Sequence, residues 1–167
     1  MKFIRKYGYF IGALAIMGVL FYSSAQPYGN QSLVPKIEQL LPNEPFKDFL
    51  AMIHFNYAGQ EVSIAASGYA KFIEFFIRKG AHFGTYFLMA SFWFLGFRGL
   101  KTTIKNKAAL LAWGLSAGYA MLDEFHQSFT ADRTPLIQDV LLDSIGALTG
   151  ILFIMLILTI IKRRSFK

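Results

Sequence analysis

Apolar positions in this chain gather into long unbroken runs. Four such runs stand out, at 7–25, 81–97, 108–122 and 144–161. Each is close to the ~20 residues with which a helix crosses a bilayer's hydrocarbon core at ~1.5 Å per residue. The third is the shortest and stops at Asp123. The segment 26–78 is broken by Pro27, Pro35, Pro42 and Pro45, of which Pro35 and Pro45 suit the first turn of a helix. Two series in it recur at helical spacing: Phe46, Phe49, Leu50, Ile53 and Tyr57, then Tyr69, Phe72, Ile73, Phe76 and Ile77. They predict amphipathic helices lying in the outer interface, with His54 a bland interfacial residue. The predicted fold class is all-α, an integral membrane helical bundle of about four transmembrane helices in a single domain over 1–167.

Composition agrees. The 167 residues are 54% apolar and 17% aromatic but only 16% charged, and the net charge is +7. So apolar a chain is not disordered, and its basic excess lacks the polar fold of a nucleic-acid binder. Absence of Cys excludes disulfides and thiolate metal sites.

Charge orients the spans, because cytoplasmic loops are enriched in Lys and Arg. Lys2, Arg5 and Lys6 precede the first run, Arg98, Lys101, Lys105 and Lys107 separate the second from the third, and Lys162, Arg163, Arg164 and Lys167 follow the fourth. Those eleven basic residues have no acidic companions. The remaining segments hold six basic residues against all ten acidic ones, so +7 resolves into +11 on one side and −4 on the other. Both termini are thereby placed inside, and loops 26–78 and 126–138 outside. A rival reading makes residues 1–25 a cleaved signal, with Ser23-Ser24-Ala25 at the cut.

Every span carries one Gly-x-x-x-Gly pair: Gly8/Gly12, Gly80/Gly84, Gly114/Gly118 and Gly146/Gly150. Such pairs allow close backbone approach, within one chain or in a homo-oligomer.

Ionisable residues inside spans are functional hypotheses by default. Counted from the cytoplasmic boundary at ~1.5 Å per residue, His82 and Asp123 lie at about 24 Å, Glu124 at about 26 Å and Asp143 at about 28 Å. They share one level just under the outer surface. The third span is therefore a full helix whose last turns are polar, and the spans become 7–25, 80–97, 108–126 and 140–161. On the fourth, Asp139, Asp143, Gly146 and Gly150 form one stripe; on the third, Ser116, Ala120, Asp123 and Gln127; on the second, Lys79, His82 and Tyr86 share a face. The connection His126-Gln127-Ser128-Phe129-Thr130-Ala131-Asp132-Arg133-Thr134-Pro135 brings Arg133 to the same rim. A polar pocket open to the outer leaflet is predicted, with Lys79, His82, Tyr86, Glu124, Gln127, Arg133, Asp139 and Asp143 as ligand-binding candidates. His82, Asp123 and Glu124 are the candidates for chemistry.

At these residues the chain resembles a known family. Arg78-Lys79-Gly80-Ala81-His82-Phe83-Gly84-Thr85-Tyr86, Asp123-Glu124-Phe125-His126-Gln127-Ser128-Phe129, Arg133, Asp139 and Asp143-Ser144-Ile145-Gly146 look like the signature of the VanZ-like membrane proteins. Tyr22-Ser23-Ser24-Ala25-Gln26-Pro27 extends the resemblance over most of the chain. It implies a small multi-helix protein of the bacterial cell membrane, some members being associated with resistance to teicoplanin-type glycopeptides. It supplies no mechanism. Asp143 stands where many relatives are expected to carry Asn.

Three functions fit. In the first, Lys79, His82, Tyr86 and Arg133 bind an anionic headgroup, the carboxylates orienting them; expected partners are membrane lipids and a lipid-linked cell-wall intermediate. The second is an intramembrane hydrolase or transferase, acid/base or metal-assisted, with Glu124 or Asp123 as base beside His82. The spacing matches no established metal motif, so no metal or other cofactor is expected. In the third the cluster is structural, Arg133 pairing with Asp139 or Asp143.

Overall fold

The computed structural model describes residues 2–100, 102–131 and 133–164, with side chains from Tyr7 onward except that of Thr102. Lys101, Asp132 and Lys167, together with the side chains of Lys2, Arg5 and Lys6, lie outside the described residues. Among the described residues eight α-helices run in the order α1 (Lys2–Ser24), α2 (Val34–Leu40), α3 (Lys47–Leu50), α4 (Ile64–Ser67), α5 (Tyr69–Arg98), α6 (Thr102–Asn106), α7 (Ala108–Gln127) and α8 (Ile137–Arg164). A 3-10 turn at Tyr28–Gln31 follows α1, and strands β1 (Phe55–Tyr57) and β2 (Gln60–Val62) separate α3 from α4. The protein is thus mostly helical. Among the described residues, two helices are long and apolar enough to cross a membrane by length and composition: Tyr7–Ser24, with mean hydropathy 1.4, and Ile137–Arg164, whose 18-residue apolar window has 2.5.

Two expectations for 46–77 are corrected. The series from Phe46 to Tyr57 does not form one amphipathic helix, and the chain is not purely α. Phe46 adopts a left-handed conformation (φ 59°), which takes it out of the helical register, and α3 closes after a single turn. Tyr57 pairs with Gln60 across the two-residue turn Ala58-Gly59, both at positive φ (54° and 82°). Positive φ at both central residues is what a tight antiparallel hairpin demands, and it is reached readily by glycine. The series from Tyr69 is helical but not separate: it is the outer part of α5, whose 30 residues extend about 45 Å. Gly68, at φ 83°, ends α4 and starts α5, so the two meet at a corner.

The described residues form three clusters of buried apolar groups. Ala13, Leu20, Tyr86, Met89, Ala120 and Val140 join α1, α5, α7 and α8. Ala90, Phe94, Ala108, Ala112, Ala147 and Ile151 fill the other end of α5, α7 and α8. Ile37, Val62, Ile64, Tyr69, Ala70 and Phe72 form an outer cap from α2, β2, α4 and the start of α5. Helix α5 is the hub and its most extensive partner is α8.

Glycine explains that contact at two positions. A Cβ at Gly146 would stand 2.6 Å from the Phe83 carbonyl oxygen, and one at Gly150 2.3 Å from that of Phe87. Backbone lies against backbone here, so the two helices gain close dispersion contact along this stripe. On the α1 side the Phe10 ring lies over Gly96 and meets Trp93 and Phe97 edge-on at 5.7 and 5.4 Å. The other predicted pairs do not pack this way. Among the described residues nothing lies within 4 Å of a Cβ at Gly8, Gly80, Gly84, Gly114 or Gly118, and Gly12 meets Phe92 at an ordinary 3.4 Å.

Candidate functional site

The start of α5, the end of α7 and the start of α8 bring together the residues that sequence reasoning nominated, in two layers. The deeper layer is sealed. Asp143 is 1% exposed, Asp123 3% and Glu124 5%, beside the fully buried Tyr86. Helical periodicity accounts for this burial: the stripes Ser116, Ala120, Asp123, Gln127 and Asp143, Gly146, Gly150 are buried throughout.

Each acid in this layer has a partner on another element or one turn away. The Ser24 hydroxyl at the end of α1 donates to Asp123 Oδ1, and the Gln127 amide donates to Oδ2 at 3.0 Å. Glu124 Oε2 accepts the Leu136 backbone N–H at 2.8 Å, tying down the residue before α8. His82 Nδ1 sits 3.4 Å from Asp143 Oδ2. Three buried polar atoms of this layer remain without a partner among the described residues: Tyr86 Oη, Glu124 Oε1 and Asp143 Oδ1. No three His, Asp or Glu side chains among the described residues form a group that could hold a metal ion.

The upper layer is open. A cavity of about 470 Å³ is lined by both strands of the hairpin, the outer third of α5, the α7–α8 connection and Asp139. Of the nominated residues, Lys79, Gln127, Arg133 and Asp139 line it; His82, Tyr86, Glu124 and Asp143 do not. Asp139 Oδ1 accepts from Lys79 Nζ at 2.5 Å and from the Tyr57 hydroxyl at 2.6 Å, with the Lys79 ammonium 4.8 Å from the Tyr57 ring centre. Burial, and then the bond to Asp139, push the Tyr57 phenol well above its usual range.

Arg133 was expected to pair with Asp139 or Asp143, and it does neither. Those acids face Lys79 and His82, which approach from α5, whereas Arg133 is drawn toward the end of α1. Its Nη2 contacts Gln31 Oε1 and, at 3.5 Å, the Ser23 carbonyl; its Nε is buried without a partner. Burial lowers its pKa, nearby Arg78 lowers it further, and Asp123 and Glu124 oppose the shift. Two guanidiniums therefore share one cavity, and neither has a carboxylate in ion-pair range among the described residues.

Sequence reasoning missed the groups that shape this cavity. Glu74 is 1% exposed; it accepts the Tyr28 hydroxyl at 2.7 Å and the Leu33 N–H, which leads into α2, at 2.5 Å. Burial and the bond to Glu74 raise the Tyr28 pKa. The same Tyr28 ring carries the Arg78 guanidinium 4.7 Å above its centre. The missed signal was present: Ala70, Glu74 and Arg78 recur every fourth residue, putting an acid on an inward helical stripe. The motif Tyr22-Ser23-Ser24-Ala25-Gln26-Pro27 finds its place too. Gln31 Nε2 donates to Ser23 O and Oγ, both at 3.0 Å, and the Thr130 hydroxyl donates to Ser24 O, also at 3.0 Å, so the end of α1 buckles the α7–α8 connection in place.

No curated protein and no solved structure matches the chain. A family model described as VanZ/LLP1 matches residues 9–159, a stretch that takes in the cavity, the sealed layer below it and all but the ends of the helices that carry them. With so much of its length matched, the chain belongs to the VanZ/LLP1 family.

Proposed function

We propose that this is a four-span protein of the bacterial cytoplasmic membrane that binds an anionic, lipid-linked cell-envelope intermediate in its outer cavity. The spans are 7–25, 80–97, 108–126 and 140–161, with both termini in the cytoplasm, as the sorting of basic residues supports. The contacts of Ser24 with Asp123, and of the Tyr119 hydroxyl with the Met17 carbonyl at 2.6 Å, favour a retained first span over a cleaved signal. One observation carries the ligand reading: Arg133 and Arg78 line a cavity of about 470 Å³ with no carboxylate in ion-pair range of either guanidinium among the described residues, although Glu61, Glu74 and Asp139 line it too. That volume is in the range of sites for small organic ligands. Unpaired guanidiniums at headgroup depth suit a phosphate or carboxylate, to which Arg can bond through two N–H groups at once. Lys79, Asp139 and Tyr57 form the wall beside them, and binding there would modulate the intermediate's fate, in keeping with the association of some VanZ-like proteins with glycopeptide resistance.

Native mass spectrometry of protein extracted from its own membrane tests this. The wild type is expected to carry an anionic lipid adduct that Arg133→Ala loses while remaining folded; equal adducts in both sink the proposal. A second reading, intramembrane acid/base chemistry, is favoured by the partnerless buried Oε1 of Glu124. It requires turnover of a purified lipid-linked substrate, lost in Glu124→Gln.

A further inference from the structure

The outer cap carries an apolar lobe that points away from its own core. Leu50 and Ile53 turn inward and pack on the cap cluster, while Phe46, Phe49 and Met52 are 81%, 63% and 67% exposed. The backbone that presents them is strained: Glu44 and Phe46 both adopt positive φ, 46° and 59°, on either side of Pro45. Bulky residues rarely occupy that region, because Cβ crowds the neighbouring carbonyl. A phenyl ring held there and given to water gains nothing in return; given to a lipid phase it gains the transfer of its whole surface.

The surroundings say which apolar phase this is. At the end of the lobe, Phe55 on β1 meets Phe75 and Phe76 of α5 edge-on at 6.0 and 6.2 Å. Phe76 and Ile77 are themselves half-exposed, and the exposed apolar face of α5 continues downward to Leu88. Phe76 is 22 residues from Arg98, about 33 Å along the helix. That is just beyond a hydrocarbon core ~30 Å thick, at the level where aromatic side chains gather. The Lys47–Glu44 ion pair lies on the same lobe and is compatible with headgroups.

We propose that the lobe 46–55 is a membrane anchor that seats Phe46, Phe49 and Met52 in the outer lipid interface. Strand β1 then runs from the anchor at Phe55 to the cavity wall at Tyr57, so lipid contact holds the cavity mouth at the surface from which a lipid-linked ligand would enter. The anchor rests on the four-span reading but not on the identity of the ligand.

The chain has no cysteine, so single spin labels can be placed cleanly. Full-length protein in liposomes of phosphatidylglycerol and phosphatidylethanolamine is labelled at Phe46→Cys, Phe49→Cys or Met52→Cys, with Leu88→Cys as the lipid reference and Lys105→Cys as the water reference. Accessibility to oxygen relative to a water-soluble nickel chelate is measured at each. The lobe positions are expected to resemble Leu88, with oxygen favoured severalfold over the chelate. Lobe values like those of Lys105, alongside a lipid-like Leu88, overturn the anchor alone. Shielding of the lobe from both reagents overturns it in favour of a protein partner. A water-like Leu88 overturns the span reading and the anchor with it.

Discussion

Replacing Gly150 with alanine should damage the site from well below it. The added methyl would lie 2.3 Å from the Phe87 carbonyl oxygen and 2.8 Å from Ser91 Oγ, where ordinary contact begins at 3.4 Å. The first obstacle is backbone, so α8 must move about 1.1 Å from α5 to restore that contact. Overpacking of this kind costs about 1–3 kcal/mol. The shift also reaches Asp143, two turns up the same helix. His82 Nδ1 and Asp143 Oδ2 are already 3.4 Å apart, so further opening takes them out of hydrogen-bond range. Gly84→Ala is the control, because nothing lies within 4 Å of the methyl it would add. Both changes gain the same helix propensity, about 0.5–1 kcal/mol, so the difference between them isolates the clash. Reversible unfolding in mixed micelles, by titration with a denaturing detergent, should rank Gly150→Ala below Gly84→Ala by about 1–3 kcal/mol. Equal stability would refute the backbone-on-backbone packing assigned to α5 and α8.

Other substitutions probe the cavity and its frame. Arg133→Lys keeps the charge but loses the two-pronged donor, and Arg133→Ala loses both. Binding of a phosphate-bearing lipid in nanodiscs should fall in that order, by up to about 10–100-fold for alanine, since a charge-assisted hydrogen bond contributes about 1.5–3 kcal/mol. An unchanged Kd for both variants would exclude Arg133 from the site. Glu74→Gln cannot accept from both Tyr28 and the Leu33 N–H, and it should loosen the outer cap by about 1–3 kcal/mol, read as faster proteolysis within 26–68. Tyr28 gives a pH test. Its folded-state pKa is raised above the ordinary 10.0, so its stabilising contribution is fully present below pH 10 and is lost as pH rises from there through the folded-state value. Alkaline unfolding followed by phenolate absorbance should therefore lose part of its pH dependence in Tyr28→Phe, and an unaltered profile counts against the Glu74 bond.

What could be read in advance was whatever repeats with the period of a helix. The stripes on α7 and α8 placed Asp123, Gln127 and Asp143 inside the bundle, because a helix fixes which side chains share a face. Loops carry no such period. Phe46 and Tyr57 fall at helical spacing, yet one left-handed residue and one two-residue turn suffice to send them elsewhere. Ion-pair partners were harder still. Arg133 is only a few residues from Asp139 in sequence, but a connection that runs back to Ser23 and Gln31 carries its guanidinium to α1, while Lys79 reaches Asp139 across 60 positions. All four glycine pairs permit close approach, and among the described residues of one chain only Gly146/Gly150 has a neighbouring helix backbone against both members.

The central claim is that the cavity between Arg133, Arg78 and Lys71 holds the headgroup of an anionic lipid. A structure of the full-length protein in nanodiscs made from its own membrane lipids tests it most directly. Headgroup density is expected within hydrogen-bond reach of the Arg133 guanidinium, with a tail leaving toward the outer leaflet. A well-resolved cavity filled only by solvent, with Arg133 turned to a carboxylate of the protein, would contradict it.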